Sequence, residues 1–239
     1  MISGKFNRPS FLLKKKIKDI HCKVDCHWYI AGGAVRAVFA NEPIKDIDIF
    51  FFSEADYNKF KSNVIIGDLD SNDPAFETDS AISYNYKGMN YQLIKKMFGT
   101  PEFILNNFDF TVCMGLYSPE ENNFLLHDNF LEDLSCRILY YNIESKFPIA
   151  SIYRMKKYIN KGYQVPAIEI LKLALRANNI SIKTLKELKE QLDGIDTLLF
   201  KDITDKLMEN AEKEYDFRNF IGLANDVLTK TFNNEEEDV

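Results

Sequence analysis

Residues 28–52 read WYIAGGAVRAVFANEPIKDIDIFFF, and that order constrains the fold more than any other stretch of the chain. An apolar run from Trp28 to Ala31 ends in two glycines. A short amphipathic stretch follows, and a second apolar run then carries Asp46 and Asp48. The pattern predicts strand, turn, helix and strand, with both strands buried. Side chains alternate along a strand, so aspartates two positions apart share a face. Two carboxylates side by side on a half-buried strand repel, and either protonation or a cation relieves the repulsion. A pair of hard oxygen ligands suits Mg²⁺.

Gly32 and Gly33 fall at the strand-to-helix turn, where a backbone without side chains can approach a phosphate and helix N–H groups face it. Arg36, one turn into the helix, is placed to offer a fork of donors to the same phosphate. A Gly-Gly pair before a helix is a weak signal alone, and a lone Asp-x-Asp is weaker, because most such pairs are surface turns. Combined in one strand–turn–helix–strand unit, they point to a phosphate and metal site, and so to nucleotide chemistry.

A chain of 239 residues holds one large domain, or a domain with a helical extension. No apolar run reaches the ~18 residues of a membrane span, and the N-terminus lacks the apolar core of a signal peptide, so the expectation is a cytoplasmic protein without a membrane partner. The net charge of −6 argues against indiscriminate nucleic-acid binding, though not against a local basic groove. Four cysteines in a chain this long read as reduced thiols. His21, Cys22, Cys26 and His27 crowd four potential zinc ligands into seven residues, but no second ligand pair follows at a finger-like distance.

Along the chain, Phe11 to Ile20 predicts an amphipathic helix whose Lys14, Lys15 and Lys16 form a solvated face or a nucleic-acid contact. Ser53 caps a predicted helix over Glu54 to Ser62, and Gly67 to Asp79 reads as a polar loop without calcium-loop spacing. Ala81 to Tyr86 and Tyr91 to Ile94 form a predicted hairpin, and Thr100-Pro101 opens a short helix. Phe108 to Leu116 (FDFTVCMGL) predicts a buried strand carrying Asp109 near its start. An ionisable group there is costly unless paired or metal-bound, which makes Asp109 the candidate third carboxylate. The alternative is an Asp that caps the preceding helix or bonds a loop amide. Phe124 to Leu126 and Arg137 to Tyr141 read as short extended pieces. From Pro148 the pattern is helical over 149–163, 167–178, 182–192 and a longer segment near 197–231. Basic residues dominate from Arg154 to Lys189, either as a face for triphosphate or polynucleotide or as ordinary wet helix surface; the acidic end EEEDV reads as a solvated tail.

These motifs resemble the head and neck of the class II poly(A) polymerase and CCA-adding enzyme family, within the nucleotidyltransferase superfamily typified by DNA polymerase beta. The family's GGxVRD and DxD are similar to Gly32-Gly33-Ala34-Val35-Arg36 and Asp46-Ile47-Asp48. Its RRDFTxNA resembles residues 107–114, NFDFTVCM, and its DPxxGxxDLxxxxIR is similar to Asp128 through Leu134 running on to Arg137. Its basic neck helix resembles residues 148–162, PIASIYRMKKYINKG.

The resemblance implies an α+β chain: a mixed-sheet, polymerase beta-like nucleotidyltransferase head over 1–145, then a small helical neck and body over 146–239. It implies transfer of a nucleoside monophosphate from an NTP (ATP, CTP or both) to an acceptor hydroxyl without a template. The first acceptor is an RNA 3′ end, tRNA in particular; no obligate protein partner is expected. Asp46, Asp48 and Asp109 would be catalytic and hold Mg²⁺, while Gly32, Gly33, Arg36, Arg154 and Lys157 would bind the nucleotide. Ala37 stands where the family has Asp, Asn107 and Phe108 replace two arginines, and the neck lacks the family's EDxxR stretch. The competing readings are a small nucleotidyltransferase modifying a protein or small molecule, and an inactive nucleotide- or RNA-binding relative.

Overall fold

The computed structural model describes residues 1–192 together with Arg218, Ile221 and Gly222. The helix expected near 197–231 (these three residues apart) and the acidic EEEDV end lie outside the described residues. The chain divides into two compact units, Met1–Ser145 with Tyr163–Pro166, and Lys146–Gly162 with Ala167–Val239.

In chain order the first unit contains β1 (Ile2–Gly4), α1 (Asn7–Ile17), β2 (Ile20–Cys22), β3 (Trp28–Ala31), α2 (Gly33–Ala40), β4 (Asp46–Phe51), α3 (Glu54–Asn63) and β5 (Val64–Ile66). It continues with β6 (Phe76–Glu77), β7 (Ala81–Tyr86), β8 (Met89–Phe98), α4 (Pro101–Asn106), a 3₁₀ turn (Thr111–Cys113), β9 (Gly115–Ser118), β10 (Asn123–Leu126) and α5 (Phe130–Cys136). Eight of these strands form one mixed sheet in the order β1-β10-β9-β3-β4-β8-β7-β6, and β2 pairs with β5 alongside it. Within the large sheet β4 and β8 run parallel and the other neighbours antiparallel.

Alternation along β4 divides the core. Ile47, Ile49 and Phe51 are fully buried on one face, where Phe51 packs on Tyr57 and Phe60 of α3 at 5.5 and 5.2 Å between ring centroids. Each such side chain contributes roughly 1.5–3 kcal/mol by leaving water. Asp46, Asp48 and Phe50 take the other face, where Phe50 joins Ala31, Leu116 and the α4 residues Ile104 and Leu105. That second face is therefore apolar toward Phe50 and polar toward Asp46.

Local signals set the helix starts. Ser53 Oγ accepts the Asp56 amide at 3.1 Å, and Thr100 Oγ1 accepts the Phe103 amide at 3.3 Å with Pro101 opening the helix. The β7–β8 hairpin turns on Lys87 and Gly88, both with positive φ (50° and 75°), the conformation a two-residue turn requires.

Two expectations change. α1 begins and ends earlier than Phe11 to Ile20, because Ile20 to Cys22 leave the helix to pair with Val64 to Ile66. Phe108 to Leu116 is not a continuous strand: Phe110 bridges Tyr141, the Thr111 amide bonds the Tyr140 carbonyl, and the 3₁₀ turn intervenes before β9. The segment satisfies its backbone against residues 140–142 through the Phe110–Tyr141 bridge and the Thr111 and Asn142 amide bonds.

The second unit contains α6 (Pro148–Asn160), α7 (Ala167–Asn178) and α8 (Leu185–Leu192). Ala150, Met155 and Tyr158 of α6, Leu173 of α7 and Leu188 and Leu192 of α8 are buried. α8 opens on a capping box, with Thr184 Oγ1 accepting the Glu187 amide at 3.2 Å and Glu187 Oε2 accepting the Thr184 amide at 3.1 Å. Glu169, 1% exposed, accepts a hydrogen bond from Lys172 at 2.7 Å.

Candidate functional site

The glycine turn joins β3 to α2. Gly32 has φ +73° and is buried, its amide bonding the Gly115 carbonyl at 3.0 Å. A β-carbon there would lie 2.7 Å from Cε1 of Phe108, so the turn is closed on that side by an aromatic ring, itself 5.8 Å from the Phe50 ring. Gly33 remains half-exposed as the first residue of α2, where first-turn amides lack intrahelical acceptors. A β-carbon on Gly33 would stand 3.8 Å from Oδ1 of Asp46, which puts the Asp46 carboxylate next to the helix start. Asp46 and Asp48 are both half-buried on one face of β4.

Asp109 is buried, 4% exposed, in the irregular segment between α4 and the 3₁₀ turn. Two groups missed in the sequence hold that segment. The Asn142 amide bonds the Asp109 carbonyl at 2.8 Å, while its Nδ2 donates to the carbonyls of Asn106 and Phe108, each at 2.8 Å. Thr111 Oγ1 donates to Oδ2 of buried Asp133 at 2.6 Å. The available signal for Asp133 was an acid inside the apolar run FLEDL, where an unpaired carboxylate is expensive. Among the described residues no three His, Cys, Asp or Glu side chains are grouped so as to hold a metal ion.

Arg36, expected to offer donors to the phosphate, has partners within the fold. It is 4% exposed, and Nη2 donates to Oε2 of Glu42 at 2.8 Å, beyond the C-terminal end of α2. It also hydrogen-bonds the Tyr163 hydroxyl; burial pushes that hydroxyl's pKa up, and the Arg36 bond partly opposes it. The guanidinium thus ties α2 to Glu42 and to the turn at Tyr163. Phe39, Leu131, Leu134, Arg137 and Tyr163 border a cavity of about 390 Å³ at the C-terminal end of α2, opposite the Asp46 carboxylate. Arg154 and Lys157 lie on α6 of the second unit, half-buried and exposed respectively.

Two carboxylates on one strand face, beside a helix start, are a donor set that fits a hard divalent cation with coordination positions left over for phosphate oxygens. Cys22 and Cys26 have their sulfurs 3.6 Å apart, but neither histidine of the 21–27 stretch joins them in a metal-binding group. No helix among the described residues is long and apolar enough to cross a membrane.

The profile of the Gabija anti-defense 2 family matches residues 5–137, more than half of the chain. A protein of Bacillus phage SPbetaL7 described as "Gabija anti-defense 2" is 37% identical over 194 residues, which span 79% of this chain and 45% of that protein. Among solved structures, a CCA-adding enzyme in complex with ATP superposes with a TM-score of 0.54 at 15% identity, covering 92% of this chain and 59% of the enzyme. The Thermotoga maritima CCA-adding enzyme complexed with tRNA gives a TM-score of 0.47 at 13% identity, over 88% and 53%. The chain thus spans about half the length of the proteins it matches. At such identities the likeness to the ATP complex establishes the fold alone: a mixed α+β nucleotidyltransferase head.

Proposed function

The chain belongs to the Gabija anti-defense 2 family, and we propose that its head unit is a Mg²⁺-dependent nucleotidyltransferase. The observation that supports this most is the Asp46–Asp48 pair on one face of β4, with Oδ1 of Asp46 beside the start of α2 at Gly33. In the proposed reaction an acceptor hydroxyl attacks the α-phosphate of ATP or CTP. A new P–O bond forms, the bond to the β-phosphate oxygen breaks, and pyrophosphate leaves with loss of the hydroxyl proton.

Asp46 and Asp48 would hold the cation, with Asp109 retained as the third acidic group of the reaction. The chemistry a bound magnesium supplies is neutralisation of triphosphate charge and activation of the acceptor hydroxyl. The protein's share is positioning and electrostatics. The Gly32-Gly33 turn and the first turn of α2 would receive the triphosphate, with Arg36 as a further proposed contact. Arg154 and Lys157 of the neck helix are proposed as further contacts to triphosphate or acceptor.

Two acceptors follow from separate observations. The motif order of the sequence favours an RNA 3′ end, tRNA first. Family membership favours a hydroxyl on a component of the Gabija defence, a protein side chain included. Incubation of the purified chain with each α-labelled NTP and Mg²⁺, once with total RNA and once with lysate of Gabija-bearing cells, separates them. A labelled RNA ladder supports the first and a labelled protein band the second. Asp48→Ala should remove either signal while leaving the circular dichroism spectrum intact; retained labelling would reject the assignment of the pair.

A further inference from the structure

β8 runs parallel to β4 with Asp46 opposite Asn90 and Asp48 opposite Gln92, so two carboxylates and two carboxamides share one face across a strand spacing of about 4.8 Å. β7 extends the rows, with Asn85 opposite Asn90 and Ser83 opposite Gln92. The intervening positions of the same strands, Ile47, Ile49, Tyr91, Leu93, Ile82 and Tyr84, are buried core. On the β7 and β8 side of the aspartates, one face is core and the other carries Asn90, Gln92, Asn85 and Ser83. Two of its oxygens are buried without a hydrogen-bond partner: Oγ of Ser83, a residue 0% exposed, and Oδ1 of Asn90. Buried polar atoms left unmatched are rare in folded proteins and call for an explanation such as a bound water, an ion or a catalytic role.

We propose that Asn90 and Gln92 are neutral oxygen ligands of the cation held by Asp46 and Asp48, an inference that rests on the function proposed above. The charge balance favours carboxamides here. Two carboxylates already match the charge of one divalent cation, so further ligands on this strand face need carry none. An amide oxygen adds coordination without adding charge, and hard cations accept it. A grouping of acids alone does not reveal such a site, because half of its protein ligands carry no charge.

The test is Mn²⁺ binding to the full chain without nucleotide, followed by the electron paramagnetic resonance signal of free Mn²⁺, with circular dichroism to establish that each variant is folded. Asn90→Ala and Gln92→Ala should each weaken binding about tenfold. Asn90→Asp, which preserves shape and adds a charge, should tighten it, and this variant decides the matter if the alanine forms do not fold. A wild-type chain that binds no Mn²⁺, or an Asp48→Ala variant that binds it normally, overturns the aspartate site and this inference together. Loss of binding in Asp48→Ala with wild-type affinity in the Asn90 and Gln92 variants overturns the carboxamide role alone.

Discussion

The ring of Phe108 occupies the space a side chain at Gly32 would need, 2.7 Å from an added β-carbon. Gly32 also has φ +73° and ψ −126°, outside the left-handed helical region and costly for an L-residue by about 1–3 kcal/mol. Alanine at position 32 therefore meets two obstacles, and displacing a packed ring adds about 1–3 kcal/mol. Gly32→Ala should lower the unfolding free energy by the sum, read as a fall in the urea midpoint. In a Phe108→Leu background the loss should shrink to the backbone part; an unchanged loss would show that the ring contact is not responsible.

Asn142 fastens the segment that carries Asp109 by three backbone contacts, two of them from its side chain. Asn142→Ala removes the Nδ2 donor and leaves the carbonyls of Asn106 and Phe108 without it, at about 1–3 kcal/mol. The expected outcome is a lower denaturation midpoint together with reduced nucleotide incorporation, since the Asp109 backbone loses its restraint. Stability loss with full incorporation would show that Asp109 need not be held there.

What the sequence displayed and what it hid follow a physical division. Signals that act within a few residues were readable: the period-two placement of Asp46, Asp48 and Phe50, the caps at Ser53 and Thr100, and the Gly-Gly turn. Phe108 to Leu116 was not, because an apolar, β-prone run looks alike whether it joins a sheet or folds back on residues 140–142. Arg36 sits one turn from the glycines in sequence, which did not show its bonds to Glu42 and Tyr163. The pairing of β8 with β4 is likewise non-local, so the polar residues of the hairpin gave no sign that they flank the aspartates.

His27 and Glu120 are linked at the surface, Nδ1 to Oε2 at 2.9 Å. That hydrogen bond, reinforced by the Glu120 charge, raises the His27 pKa above 6.5. A folded-state pKa above the unfolded one means the pair contributes stability below the unfolded pKa and loses it as pH rises through the folded value. Both side chains are more than half exposed, so solvent screening keeps the contribution small. In an NMR titration the His27 ring should change protonation above 6.5 and return toward the ordinary value in Glu120→Gln. No change between wild type and variant would mean the pair is not formed in solution.

Asp46 lies beside the helix start, two residues from Asp48 on the same face, so the pair repels in the absence of a cation. Asp46→Asn keeps the shape and removes one charge, and without Mg²⁺ the variant should be as stable as wild type or more so, by up to about 1 kcal/mol. With Mg²⁺ and ATP the order should reverse. A ligand at a hundred times its Kd adds about 2.7 kcal/mol to the form that binds it. In a chain of this size each kcal/mol raises Tm by about 2–4 °C, so wild type should gain several degrees and the variant almost none. Thermal scans with and without Mg²⁺ and ATP read both effects in one experiment. An equal gain in the two proteins would place the nucleotide away from β4.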